Sequence, residues 1–276
     1  MRSVLAAGVG VLALAVVPVS SQRSGRGTTP APPARGSAQT PARPAARVDA
    51  AVPFKIGETL TYDVSWSSLI TAGTATATVV GRNQTNTGFS WDVLAEGRPI
   101  PLVARLYPLY YKMTSLIDTY ALLSERGTMY AEERKDKRTS TTTFDRARNW
   151  VRFEQTDTDG TGATEYEVPE RAQDGLAAFY VLRARGVKSG ERFSIPVADS
   201  GTLFTVEFAV GALEDVKTAL GTMPAWNIAI ALKDVKGDLF WKDTIVWMSN
   251  DARRLPVKLQ AQLPVGHFVL ALKDAK

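Results

Sequence analysis

The residue types that carry chemistry are scarce here, and their scarcity bounds the function. Among 276 residues there is no cysteine and one histidine, His267. A thiolate zinc site, an iron–sulfur cluster, a cysteine nucleophile and a disulfide framework are all excluded, and multi-histidine metal sites go with them. No G-x-S-x-G elbow, S-x-x-K, P-loop or G-x-G-x-x-G occurs. His267 could serve as the base of a serine triad with Asp251 or Asp243 as orienter, but Gly266, Phe268, Val269 and Leu270 around it read as an ordinary strand. Asp157-Thr158-Asp159-Gly160-Thr161-Gly162 brushes against a calcium loop. It carries Thr161 and Val168 where that loop needs an acid or Asn and then Glu, so it reads as a hairpin turn. Asn83-Gln84-Thr85 fits a glycosylation sequon and equally a turn. No metal, cofactor or catalytic group is expected on these grounds.

What remains are aromatic and arginine-rich sites. Tyr62, Trp66, Trp91, Phe179, Tyr180 and Trp247 are candidates to line an apolar ligand site inside a curved sheet, or to form its core. Asp251, Arg253 and Arg254 follow Trp247. They could hold a carboxylate or phosphate head group, or fix the turn through a local Asp–Arg pair.

The elements that must position these residues follow from pattern. Leu60, Tyr62, Val64 and Trp66 alternate with Thr61, Asp63 and Ser65, and Phe89, Trp91, Val93 and Ala95 alternate with polar neighbours. That is the period of half-buried strands. Thr74 to Val80 repeats it. Further strands are expected around 113–121, 127–133, 139–145, 149–155, 163–168, 191–197, 202–210, 225–232, 238–248, 256–263 and 266–272. Asp174 to Arg185 breaks the rhythm with an Asp cap, helix formers, a basic last turn and the stop Gly186. Only Arg183 and Arg185 in it are strongly polar, so most of its circumference must be covered. The fold expected is mainly β: a strongly curved antiparallel sheet, an open barrel or β-roll, with one short buried helix that plugs it. Leu176, Phe179 and Leu182 should then face strand aromatics.

The 33 Lys plus Arg and 28 Asp plus Glu are unevenly spread. Residues 1–50 hold six arginines and one acid, Asp49, and the remaining basic and acidic residues balance at 27 each. A basic start and the short apolar run Val4 to Val17 read as a secretory signal peptide over 1–21, cleaved near Ser21 and too short to span a membrane. Residues 22–51, rich in Pro, Ala and Arg, read as a disordered linker that could also touch an anionic envelope surface. A single β-rich domain is expected over 52–276. The chain is placed outside the cytoplasm, periplasmic or associated with the outer envelope, and it lacks the cysteine a lipoprotein needs. Its excess charge lies in the leader and linker, so nucleic acid is not an expected partner.

Phe54-Lys55-Ile56-Gly57-Glu58-Thr59-Leu60-Thr61-Tyr62-Asp63-Val64-Ser65-Trp66 with Ala72-Gly73-Thr74-Ala75 resembles the opening of an exported bacterial protein family catalogued as domain of unknown function thirty-one-oh-eight. So do Asp174 to Arg183 with Gly190 to Val197, and Val246 to Leu259 with Val265-Gly266. The resemblance implies an exported, predominantly β protein and no agreed activity. Three functions therefore stand side by side. The first is a non-catalytic envelope protein that binds or carries an apolar or lipid-like ligand. The others are a structural or assembly factor with a filled core, and a hydrolase using paired carboxylates.

Overall fold

The structure, a computed structural model, describes residues 48–66, 70–85, 88–263 and 266–276. The expected leader and nearly all of the expected linker lie outside the described residues. Asp49 and Ala50, at the linker's end, are bound to the domain: Asp49 pairs with Arg82 at 2.6 Å, and the Ala50 N–H donates to the Thr119 carbonyl.

The alternating segments become β1 (Thr59–Trp66), β2 (Ile70–Thr85), β3 (Gly88–Pro99), β4 (Leu109–Asp118), β5 (Ser124–Glu133), β6 (Asp136–Asp145), β7 (Trp150–Asp157) and β8 (Gly160–Glu167). After a helical crossing come β9 (Arg192–Asp199), β10 (Thr202–Thr218), β11 (Gly221–Lys233), β12 (Leu239–Ser249), β13 (Pro256–Leu263) and β14 (Gly266–Ala275). All form one sheet in the order β8-β7-β6-β5-β4-β3-β2-β1-β14-β13-β12-β11-β10-β9, with every pair antiparallel. Two meanders of neighbouring hairpins are thus joined through β1 and β14, and the chain must pass from the free edge β8 to the free edge β9.

That passage determines the architecture. The sheet curls until its edges approach one another, and side chains rather than a backbone ladder bridge the gap. Phe144 and Val151 of β6 and β7 pack with Ala198 of β9 and Leu203 of β10, and the Tyr166 hydroxyl donates to the Thr202 carbonyl at 3.1 Å. The sheet stays open as a hydrogen-bonded surface. Edge strand β8 is short, exposed and carries Glu165 and Glu167, features that discourage edge-to-edge pairing.

The crossing holds α2 (Gly175–Arg185), capped by the Asp174 carboxylate, which accepts from the Ala177 N–H at 2.9 Å. Gly186 follows at φ 68°, a left-handed geometry that ends the helix without a Cβ penalty. Leu176, Ala177 and Tyr180 pack against Phe54, Val79, Val93 and Met113, while Ala178 and Leu182 pack against Ile195, Val206, Phe208 and Ile228. The helix is therefore covered from two opposite sides, as its mostly apolar circumference demands. Phe179 is only half-buried, and Tyr180 takes the enclosed position expected for it. A further helix, α1 (Pro101–Leu106), was not expected and buries nothing. Six residues bracketed by prolines are too few to show a helical period.

Candidate functional site

Two interior regions could hold function, and they are built differently. The first surrounds α2. Arg183, fully buried, pairs with Glu58 through both terminal nitrogens at 2.7 and 3.2 Å. Its remaining reach goes to the carbonyls of Arg253 and Arg254, and the rings of Phe54 and Tyr180 flank the guanidinium. A buried cation placed this way has nearly every donor filled. Burial pushes the Tyr62 and Tyr180 phenols up, against the opposing pull of Arg183, and neither hydroxyl has a hydrogen-bond partner among the described residues.

The expected aromatic residues divide between clusters. Trp91, Phe179 and Tyr180 share one with Phe54; its ring sits edge-on to Trp91 at 5.5 Å and to Tyr180 at 5.1 Å. Tyr62 and Trp247 belong to a neighbouring cluster with β13, β14 and the β10–β11 hairpin. The Trp247 indole N–H donates to Glu214 at 2.8 Å, and the Lys258 ammonium stands 4.7 Å from its ring. Trp66 is not with them: it lies exposed at the far end of β1, stacked on Phe268.

Asp251, Arg253 and Arg254 fold into a turn. Burial raises the Asp251 carboxyl, but the Ser249 hydroxyl and the Arg253 guanidinium outweigh it and hold the group below its usual range. Arg254 turns the other way and donates to the carbonyls of Arg183 and Ala184 at the end of α2. A pocket of about 640 Å³ opens beside them, between Arg185, Trp226 and Asn250. His267 lies in β14, on the strand expected for it.

The second interior region lies along β4 to β7, on the sheet face that α2 covers. Cross-strand pairing stacks its side chains in rows: Tyr111, Ala131 and Arg138; Met113, Met129, Ser140 and Gln155; Ser115, Gly127, Thr142 and Phe153. The last row meets the start of α2, where the Ser115 hydroxyl donates to Asp174 at 2.6 Å. Gly127 permits this approach, since a Cβ there would lie 2.9 Å from the Asp174 Cβ. Ser124 donates through its N–H and hydroxyl to the Gln173 side chain, and Arg146 donates to the carbonyls of Ser124 and Ala172. Burial lowers Arg146 to about 10. Asp174 is raised by burial against the pull of Ser115 and Ala177, and its hydrogen bonds commit it to the cap.

The rows nearer the open end are less enclosed. Tyr111, Met113, Met129, Ser140, Thr142 and Phe153 keep 6–9% of their surface exposed, whereas Leu176, Tyr180, Leu182 and Arg183 keep 0–2%. Asp199, at the end of β9, has its carboxyl pushed up to about 7 by burial, with Asp174 adding to the rise and Arg138 opposing it. The Tyr111 hydroxyl donates to Glu133. Sequence reading missed Arg138, Ser140, Thr142 and Asp199. In β6 both faces are polar, Lys137-Thr139-Thr141-Thr143 against Arg138-Ser140-Thr142, so alternation does not tell inside from outside. Only the continuation of the second series into Phe144 marks it as the inner one.

The open end also has an uneven rim. Trp66, Leu102 and Leu106 of α1, and Val235, Leu239 and Phe240 before and within β12 are all exposed apolar residues on that end's connections. The turns after β5, β7 and β9 at the same end are instead Arg134-Lys135, Thr158-Asp159 and Ser200-Gly201.

The chain belongs to the family described as protein of unknown function (DUF3108), whose profile matches residues 61–273. No curated protein matches it. Among solved structures it is similar to a beta-barrel-like protein of domain of unknown function DUF1849 from Brucella abortus. The identity is 9%, over 80% of this chain and 97% of that one, with a TM-score of 0.49. A protein from Parabacteroides distasonis, provisionally described as a lipoprotein, matches at 10% identity over 83% of this chain and all of its own, with a TM-score of 0.33.

Proposed function

We propose that this chain is an exported, non-catalytic cell-envelope protein that binds or carries an apolar or lipid-like ligand on the concave side of its sheet. One observation supports the reading: inward-facing Met113, Met129 and Phe153 keep 6–9% of their surface exposed, where Leu176, Tyr180 and Leu182 of α2 itself keep 0–2%. Ligand sites are typically apolar walls with a few polar groups, as Ser140 and Thr142 would supply. The apolar side of the rim offers a way in for a molecule with a hydrocarbon chain. A hydrolase would need two carboxylates free to act, and Asp174 is occupied by Ser115 and the α2 backbone. Export rests on the basic, apolar and small-residue order of positions 1–21.

Native mass spectrometry of protein purified from its own envelope tests the reading. The expected result is a co-purifying apolar molecule that disappears when Met129→Trp fills the space. Protein that carries nothing, and whose stability Met129→Trp lowers as it would in a filled core, would favour a structural or assembly factor instead. The same sample checks export: a mature chain starting near Ser21 or Gln22 is expected, and an intact Met1 on cytosolic protein would contradict it.

A further inference from the structure

Arginine is never neutral in a protein, so each buried guanidinium needs its donors met. Arg183 and Arg146 satisfy this with a carboxylate or backbone carbonyls. Arg138 does not. Its Nε is buried without a partner, and among the described residues its guanidinium makes no hydrogen bond or ion pair. It stands on the inward face of β6, directly across from Ala131, which in turn faces Tyr111. Asp199 is within electrostatic reach of Arg138, and no acid pairs with Arg138 among the described residues. Glu133 receives the Tyr111 hydroxyl, and Asp199 holds its proton to about 7, so it carries only part of a charge near neutrality. One row deeper lie Met113, Met129 and Ser140, then Thr142 and Phe153, the same side chains that keep 6–9% of their surface exposed. A forked cation thus stands toward the open end of a mostly apolar wall.

We infer that Arg138 anchors the anionic head, a carboxylate or phosphate, of an amphiphile whose chain lies along Met113, Met129 and Phe153. This deepens the ligand-binding function proposed above and rests on it. A planar guanidinium suits either oxyanion through paired N–H donors, and a neutral lipid would leave it unmet.

Calorimetric titration of the delipidated full chain separates the possibilities, with oleate, lysophosphatidate, oleyl alcohol and inorganic phosphate as probes. At least one of the two anionic lipids should bind roughly tenfold or more tighter than oleyl alcohol, the scale of a hydrogen bond to a charged group. Which of the two does so tells carboxylate from phosphate. Arg138→Gln should erase that preference and leave oleyl alcohol binding unchanged. Arg138→Lys, which keeps the charge without the fork, should retain part of the preference and serves should the Gln variant not fold. Equal binding of oleyl alcohol and both anions by the parent, or a preference that survives Arg138→Gln, would overturn the inference while leaving a neutral-lipid function standing. Inorganic phosphate binding with no gain from a chain would overturn the amphiphile. If no chain-bearing probe binds, the proposed function falls as well.

Discussion

The interior around α2 and the interior along β4 to β7 are made by the same sheet, yet they meet opposite demands. Around α2, every neighbour touches a helix placed by the need to carry the chain from β8 to β9, and the side chains close on it from two sides. Along β4 to β7 no helix lies over the outer rows among the described residues, Ser, Thr and Arg replace aliphatic residues in β6, and the β9–β10 turn approaches Phe153 at Gly201. The difference teaches that the helix seals one part of a curved sheet without filling all of it. Stability should therefore concentrate at the helix and ligand-dependent behaviour at the rows.

The largest expected effect tests the sealed part. Arg183→Ala strands the Glu58 carboxylate in a buried site and should cost about 4 kcal/mol in urea melts, the scale for breaking one partner of an enclosed ion pair. The double change Arg183→Met with Glu58→Leu removes both charges and should recover most of that loss. A single variant as stable as the parent would mean that the pair is solvated and that the helix end is open.

Next comes a direct contrast between the regions. Leu176→Ala should cost about 3 kcal/mol through lost burial and a cavity, while Met129→Ala, at the less enclosed side of the same cluster, should cost about 2 kcal/mol. Equal losses would erase the distinction between sealed and open interior.

Legibility followed the same divide. Each of the fourteen strands overlaps a segment that alternation picked out, because most of them bury one face and expose the other, as with Leu60, Tyr62 and Val64 in β1. The α2 cap and stop were legible from Asp174 and Gly186. The placement of Arg183 was not: its partner Glu58 lies just before β1, more than a hundred positions away, and a basic residue in a helix's last turn ordinarily points to water. Trp66 and Trp247 illustrate a second limit. Pattern puts an aromatic on a face but not at a level along a strand, so residues expected to share one site lie at different levels of the sheet.

A smaller effect decides between a plug and a lid. Phe179 is half-buried against Tyr180 at 5.9 Å, so Phe179→Ala should cost about 2 kcal/mol, less than truncation of a fully enclosed ring. A ligand-free urea midpoint matching the parent's would instead make this part of the helix a lid, held at the low-stability end of the structure.

The smallest effect belongs to the open interior and shows only with pH. The Asp199 carboxyl, raised by burial from 3.8 to about 7, keeps its proton in the folded protein over a range where the unfolded chain has released it. A raised folded value contributes stability that is fully present below the unfolded value and is lost as pH rises through the folded one. Stability attributable to this group should thus fall between about pH 4 and pH 8. Partial exposure screens the charge, so the loss should be about 1 kcal/mol rather than the full linkage figure. Asp174 is also raised by burial and shifts stability in the same direction, and the Arg138 cation acts against the rise of Asp199. Asp199→Asn keeps the oxygen that accepts from the Ser200 N–H at 2.7 Å and removes only the titration. Its urea midpoint should match the parent's best near pH 4, at the bottom of that window, and exceed it at pH 8.5. Parallel midpoint curves for the two proteins across that range would place Asp199 in water and remove it from the interior wall.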